Sequence, residues 1–247
     1  MSFFERPPVS IYLVRHGQSE ANVNKNVYRE KPDHAIPLTS LGLSQADEAG
    51  RFLANHLAAH ANEAPAIIIR SPYQRARETE DRIANAVGDQ YIAERVELTE
   101  CAEQQYGLFD GVPPDELNET FPKEYQRYLL AQKNMGKFWA CPPQGESLFR
   151  VYERATSVAN MIRFGHRKGG INTFIIVAHG NWMRCFIMAW CNLPYEWIAK
   201  SRVPENCEVM KIQGPEIIGS VFLPSHTTHE AIHGPQTENT AQNGEQA

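Results

Sequence analysis

Residues 13–22 read LVRHGQSEAN. The apolar run Val9–Val14 (VSIYLV) leads straight into Arg15, His16 and Gly17. A short β-branched run stopped by glycine reads as a buried strand followed by a tight turn. Arg15 is permanently charged, and His16 can be neutral or cationic near pH 7. Setting that pair at the end of a buried strand is costly for packing, so the strand end is marked as a site.

Working outward, three more apolar runs end on polar residues. Ala66–Ile69 (AIII) stops at Arg70-Ser71, with Arg75 one turn into the next segment. A weaker strand, Val96–Leu98, is followed by Glu100 and Glu103. Thr173–Ala178 (TFIIVA) runs into His179-Gly180. Helices are expected between them. Residues 39–60 place Leu43, Ala46, Gly50, Leu53 and Leu57 on one face, capped by Thr39 or Ser40. A second helix is expected to start with Ser71 as N-cap and Pro72 in the first turn, and to end at Val87. Leu148, Val151, Ala155, Val158, Ala159 and Ile162 mark a third, and a fourth starts near Trp182. Residues 207–213 and 217–223 read as closing strands. Strands apolar on both faces, alternating with helices, imply an α/β fold: three layers, α/β/α, around a mainly parallel sheet.

One domain is expected over residues 1–223. From Pro224 to Ala247 the chain lacks aromatics, and a disordered tail holding His226, His229 and His233 is expected. Residues 104–144, broken by Pro113-Pro114, Pro122 and Pro142-Pro143, are read as a lid that chooses the substrate. A net charge of −5 without a basic stripe argues against a nucleic-acid partner. No apolar run is long enough for a membrane span, and MSFFERPPVS does not read as a secretory leader. Five cysteines without a C-x-x-C suggest reduced thiols and a cytoplasmic location. A second copy of the chain, as a homodimer, is among the candidate partners.

In open α/β sheets, ligands bind at the carboxyl ends of the strands. Here that rim would collect His16, His179, Arg15, Arg70 or Arg75, and Glu100 or Glu103. Guanidinium groups and imidazoles around one anion suggest a phosphoryl group. The helix opening at Gly180 would aim backbone N–H groups at the same point. A neutral imidazole is a competent nucleophile, and a carboxylic acid can protonate the departing oxygen. A metal held by the two histidines is the competing reading. The arginine beside His16 repels a second cation, and no H-x-x-x-H or H-E-x-x-H occurs. No metal and no cofactor are expected.

These residues resemble the signature of the histidine phosphatase superfamily, in the branch that holds the cofactor-dependent phosphoglycerate mutases. LVRHGQSEAN, PLTSLGLSQA (37–46), SPYQRARET (71–79), EQQYGLFDG (103–111), GES (145–147) and VAHGNWMR (177–184) all match, in order. The resemblance implies a phosphoglycerate mutase-like fold and a small phosphorylated substrate. It implies His16 as the nucleophile that becomes phosphohistidine, Arg15 and Arg75 as the phosphoryl clamp, and His179 as the group completing the pocket. Glu103, not Glu100, is the implied proton donor, and Arg75, not Arg70, occupies the motif position. Asn22, Tyr106 and Asn181 match substrate- or phosphate-contacting positions. The mutases' paired arginines are missing: YLLAQKNMGKFWACPPQGES offers only Lys133 and Lys137. A phosphomonoesterase is therefore expected ahead of a mutase, and a phospho-ligand binding module comes third.

Overall fold

In the computed structural model, which describes residues 8–60 and 63–226, the sheet is built around two strands with no exposed residue. In chain order the elements are β1 (Ser10–Arg15), α1 (Glu20–Val23), α2 (Val27–Glu30), α3 (Ser40–Ala59), β2 (Ala66–Arg70), α4 (Gln74–Val87), β3 (Ile92–Glu97), α5 (Leu117–Thr120), α6 (Pro122–Met135), α7 (Leu148–Gly169), β4 (Thr173–Ala178), α8 (Gly180–Trp190), α9 (Trp197–Lys200), β5 (Val209–Gln213) and β6 (Glu216–Phe222). The strand order is β3-β2-β4-β1-β5-β6. The first four in that order run parallel, and β5 and β6 are antiparallel. This is the three-layer, mainly parallel α/β fold expected from the alternating runs.

Side chains leave alternate faces of a strand, so β1 feeds two cores. Ile11 and Leu13 join Phe174 and Ile176 against Val151, Ala155, Val158 and Ile162 of α7 and Trp182 and Phe186 of α8. Tyr12 and Val14 join Ile68, Ile175 and Val177 against Ala46, Ala49, Leu53 and Leu57 of α3 and Ile83 and Val87 of α4. Each fully buried Leu, Ile or Phe contributes roughly 1.5–3 kcal/mol. α3 is capped by Thr39, whose hydroxyl accepts from Gly42 N–H at 3.0 Å. α7 is capped in the same way by Ser147, which accepts from Arg150 N–H.

Two boundaries differ from expectation. Ser71 does not cap α4, which starts at Gln74 with Tyr73 as its N-cap. The Ser71 N–H still bonds to the sheet, at Val177 O, and its hydroxyl is committed elsewhere. The third strand covers Ile92–Glu97, not Val96–Leu98. It is an edge strand with Ala93, Glu94 and Arg95 exposed, so its apolar signal is thin. At the far end, Ser225 donates from N and Oγ to Glu48 Oε2, and Gln45 Nε2 donates to His226 O. The rest of the expected tail, with His229 and His233, lies outside the described residues. Among the described residues no helix is long and apolar enough to cross a membrane.

Candidate active site

Strand register assembles the centre. Arg15 on β1 pairs with Ala178 on β4, so the next residues, His16 and His179, emerge side by side. Their rings meet edge to face, with centroids 5.1 Å apart. On the other flank of β4, Arg70 pairs with Val177. That brings Ser71 within reach of His179, whose Nε2 lies 2.8 Å from Ser71 Oγ.

His16 is 4% exposed. Its Nδ1–H donates to Gly17 O at 2.8 Å, which leaves the Nε2 lone pair bare in the neutral ring. Asn206 Nδ2 donates to His16 O, and His16 N–H to Ala178 O, so both sides of its backbone are fixed. The following turn sits tightly on α3. A Cβ on Gly17 would overlap Gly42 O, and one on Gly42 would overlap Gln18 O. Gly17 N–H donates to Thr79 Oγ1 of α4. Burial, then Arg75 and then Arg15, push the His16 pKa well below the ordinary imidazole value. His179 is shifted the same way by burial, Arg75 and His16. His179 Nε2 and Ser71 Oγ share one hydrogen bond, and the buried Nδ1 has no partner among the described residues.

Arg15 and Arg75 are 8% and 4% exposed. Arg15 Nη1 donates to Pro204 O at 2.9 Å. Arg75, in the first turn of α4, lies over the Tyr73 ring and donates from Nη1 to Asp33. Gly180 opens α8 with His179 as N-cap. A Cβ there would overlap Val203, so only glycine brings this helix end to the rim.

Glu103 follows the one-turn helix Thr99–Cys101. Burial raises its pKa, while the Gln104 N–H that its carboxyl accepts, Arg75 and Arg15 draw it down. Arg154 of α7 holds this loop. It donates to Glu100 O at 2.7 Å, to Ala102 O at 3.0 Å and to Glu103 O at 3.4 Å, and it pairs with Glu146. The Glu100 carboxylate accepts only from Thr99 among the described residues. Arg70 joins an ion-pair lattice with Glu80, Asp81 and Glu97 outside the centre.

Asn181 links the rim to residues 104–106: its Nδ2 donates to Gln104 Oε1 and to the Tyr106 hydroxyl. Asn22 lies behind His16, its Oδ1 accepting from Ser19 and, at 3.4 Å, from Asn206. Among the described residues no group of three or more His, Cys, Asp or Glu side chains could hold a metal. Reading the sequence missed Ser71, Asn206, Arg154 and Asp33. Ser71 reads as a cap, Arg154 lies on the polar face of a helix read from its apolar stripe, Asn206 sits in a loop, and Asp33 stands on a one-turn helix too short to show periodicity.

The comparisons with known proteins show the family and the fold. The family description "Histidine phosphatase superfamily (branch 1)" matches residues 11–216. The Arabidopsis thaliana phosphoglycerate mutase-like protein AT74 is 30% identical over 91% of this chain and 71% of its own length. The broad-range acid phosphatase DET1 of Saccharomyces cerevisiae is 24% identical over 90% of each. Among solved structures, a mycobacterial glucosyl-3-phosphoglycerate phosphatase superposes with a TM-score of 0.63 at 22% identity, covering 82% of this chain and 92% of that one. With paired strand ends presenting two neutral imidazoles between two guanidinium groups, and a match across most of its length, the chain belongs to branch 1 of the histidine phosphatase superfamily.

Proposed function

We propose that this protein is a phosphomonoesterase that works through a phosphohistidine on His16. His16 Nε2 attacks phosphorus in line and forms the N–P bond as the ester P–O bond breaks. Glu103 gives its proton to the leaving oxygen. Water then attacks the phosphohistidine, Glu103 takes a proton back, and phosphate leaves with His16 restored. Arg15, Arg75, His179 and the backbone N–H groups at Gly180 and Asn181 stabilise the charge on the transferred oxygens. The observation that carries this reading is the His16 bond to Gly17 O, which fixes a bare Nε2 on a neutral ring.

Hydrolysis is favoured over transfer to a second hydroxyl. Lys133 and Lys137, which stand where the mutases carry their paired arginines, are both exposed. The broad-range acid phosphatase among the relatives supports the same choice. The test is phosphate release from a panel of sugar phosphates, nucleotides and phosphoglycerates. Base-quenched samples are checked for acid-labile label on His16. Free phosphate and a labelled His16 are expected. Isomerised phosphoglycerate in place of phosphate would make the protein a mutase, and binding without release would make it a phospho-ligand module.

A further inference from the structure

The pocket is charged unevenly. Its floor carries Arg15 and Arg75, but its mouth carries acids. Asp33 stands on the one-turn helix Asp33–Ala35, and its backbone O and Oδ1 accept from Arg75 Nη1 at 2.7 and 2.9 Å. The other edge of Arg75, Nε and Nη2, makes no bond to protein among the described residues and stays available for a phosphoryl group. Asp33 Oδ2 likewise accepts nothing among them, and the side chain is 22% exposed. Asp110, in the lid, accepts from Tyr106 N–H and Gly107 N–H. The two loops that carry these acids touch: Gly111 packs against Tyr28 O, and Arg29 pairs with Glu116. Asp33 raises the pKa of both Glu103 and Asp110, and it acts on the phenols of Tyr28 and Tyr73 as well.

A phosphoryl dianion entering this pocket balances Arg15 and Arg75. Glu103 must keep its proton to serve as the acid. Around the rest of the pocket stand Asp33 and Asp110, the hydroxyls of Tyr28, Tyr73 and Tyr106, exposed Lys25, which acts on His16, and Arg184, which donates to Asn181 Oδ1; of these, Asp33 lies nearest the phosphoryl clamp, on Arg75 itself. A carboxylate or second phosphate on the leaving group meets repulsion there. An alcohol instead finds acceptors, Asp33 Oδ2 first.

We propose that Asp33 is a specificity-determining residue that selects phosphomonoesters with uncharged, hydroxyl-bearing leaving groups, such as polyol and sugar phosphates, against esters carrying a neighbouring carboxylate or second phosphate. This rests on the phosphatase reading and narrows it to a substrate class.

Glycerol 3-phosphate and 3-phosphoglycerate differ only in a terminal hydroxymethyl against a carboxylate, so they isolate the charge. The full-length wild type should favour the former in kcat/KM. In Asp33→Asn, which keeps the shape and the carbonyl acceptor, the preference should shrink about tenfold, by a gain on 3-phosphoglycerate. Raising salt from 20 to 500 mM should narrow the wild-type ratio as well, a measurement that needs no variant. If Asp33 only positioned Arg75, the variant would slow both esters equally at an unchanged ratio, and the proposal would be overturned. A wild-type preference for the carboxylate ester would overturn it too. If the wild type releases phosphate from neither ester nor from any other member of the phosphate-ester panel, the phosphatase reading falls, and calorimetric dissociation constants for the same two compounds decide the Asp33 question separately.

Discussion

On the floor of the pocket, Arg15, His16, Arg75 and His179 are each at most 8% exposed; the sheet positions Arg15 and the two histidines, and the first turn of α4 positions Arg75. At its mouth, Tyr106 is 39% exposed, and the walls meet through side chains: Arg29 on Glu116, Asn181 on Tyr106, Arg75 on Asp33. The floor follows from strand register, so moving one of its groups means moving the core. The mouth follows from loop contacts that can be exchanged one at a time. Catalytic geometry belongs to the part of the molecule under the strongest packing constraint, and selectivity to the part under the weakest.

The comparison breaks most readily at His16. His16→Ala should lower kcat/KM on every ester by about 10⁴–10⁶, because the remaining groups have no nucleophile to serve. A loss confined to some substrates would mean that the floor, too, takes part in selection. Glu103 lies between the two regions and should show it. Glu103→Gln should cost about 10²–10⁴ on alkyl esters and much less on aryl esters, whose leaving oxygen needs little protonation. Burial raises the Glu103 pKa, so the wild-type rate on an alkyl ester should fall as pH rises through that value, and the variant should lose this alkaline limb.

The smallest effect is on stability. His16 and His179 have pKa values held below that of the unfolded chain by burial beside Arg75. Below pH of about 6.5 the unfolded state binds protons the native floor refuses. Stability is therefore present above that pH and is lost as pH falls, approaching about 1.4 kcal/mol per unit for each ring that stays neutral. Glu103 acts in the opposite sense, since its raised pKa makes the native state hold a proton that the unfolded chain gives up first. Melting temperatures of the wild type and His179→Gln between pH 7.5 and 5.5 measure this. The variant should lose less on acidification, and equal losses would show that the buried ring is not neutral.

Most of the floor was legible in the chain. VSIYLV and TFIIVA are short, β-branched apolar runs that lead into Arg15-His16-Gly17 and His179-Gly180, and that length, composition and flanking glycine read as central parallel strands. The α/β layering followed from the same runs. Ser71 was misjudged because Ser-Pro is a strong helix-start signal, yet the register beside β4 put its hydroxyl on His179 instead. β3 was cut short because an edge strand needs only one apolar face. Asp33, Arg154 and Asn206 could not be read locally. Each acts on a residue 42 or more positions away, and neither pattern nor propensity reports such a distance.

The grip of Arg154 on the carbonyls of Glu100, Ala102 and Glu103 has a consequence for how such a protein can diversify. Glu103, the proposed proton donor, is moored to the long helix α7 and through it to the interior, although the segment that follows it in the chain is the proposed cover. Insertions, deletions or replacement between Gly111 and Gly136, short of the buried Phe138, can then remodel which molecules enter while the chemistry beneath keeps its alignment. A single guanidinium makes the cover an exchangeable module.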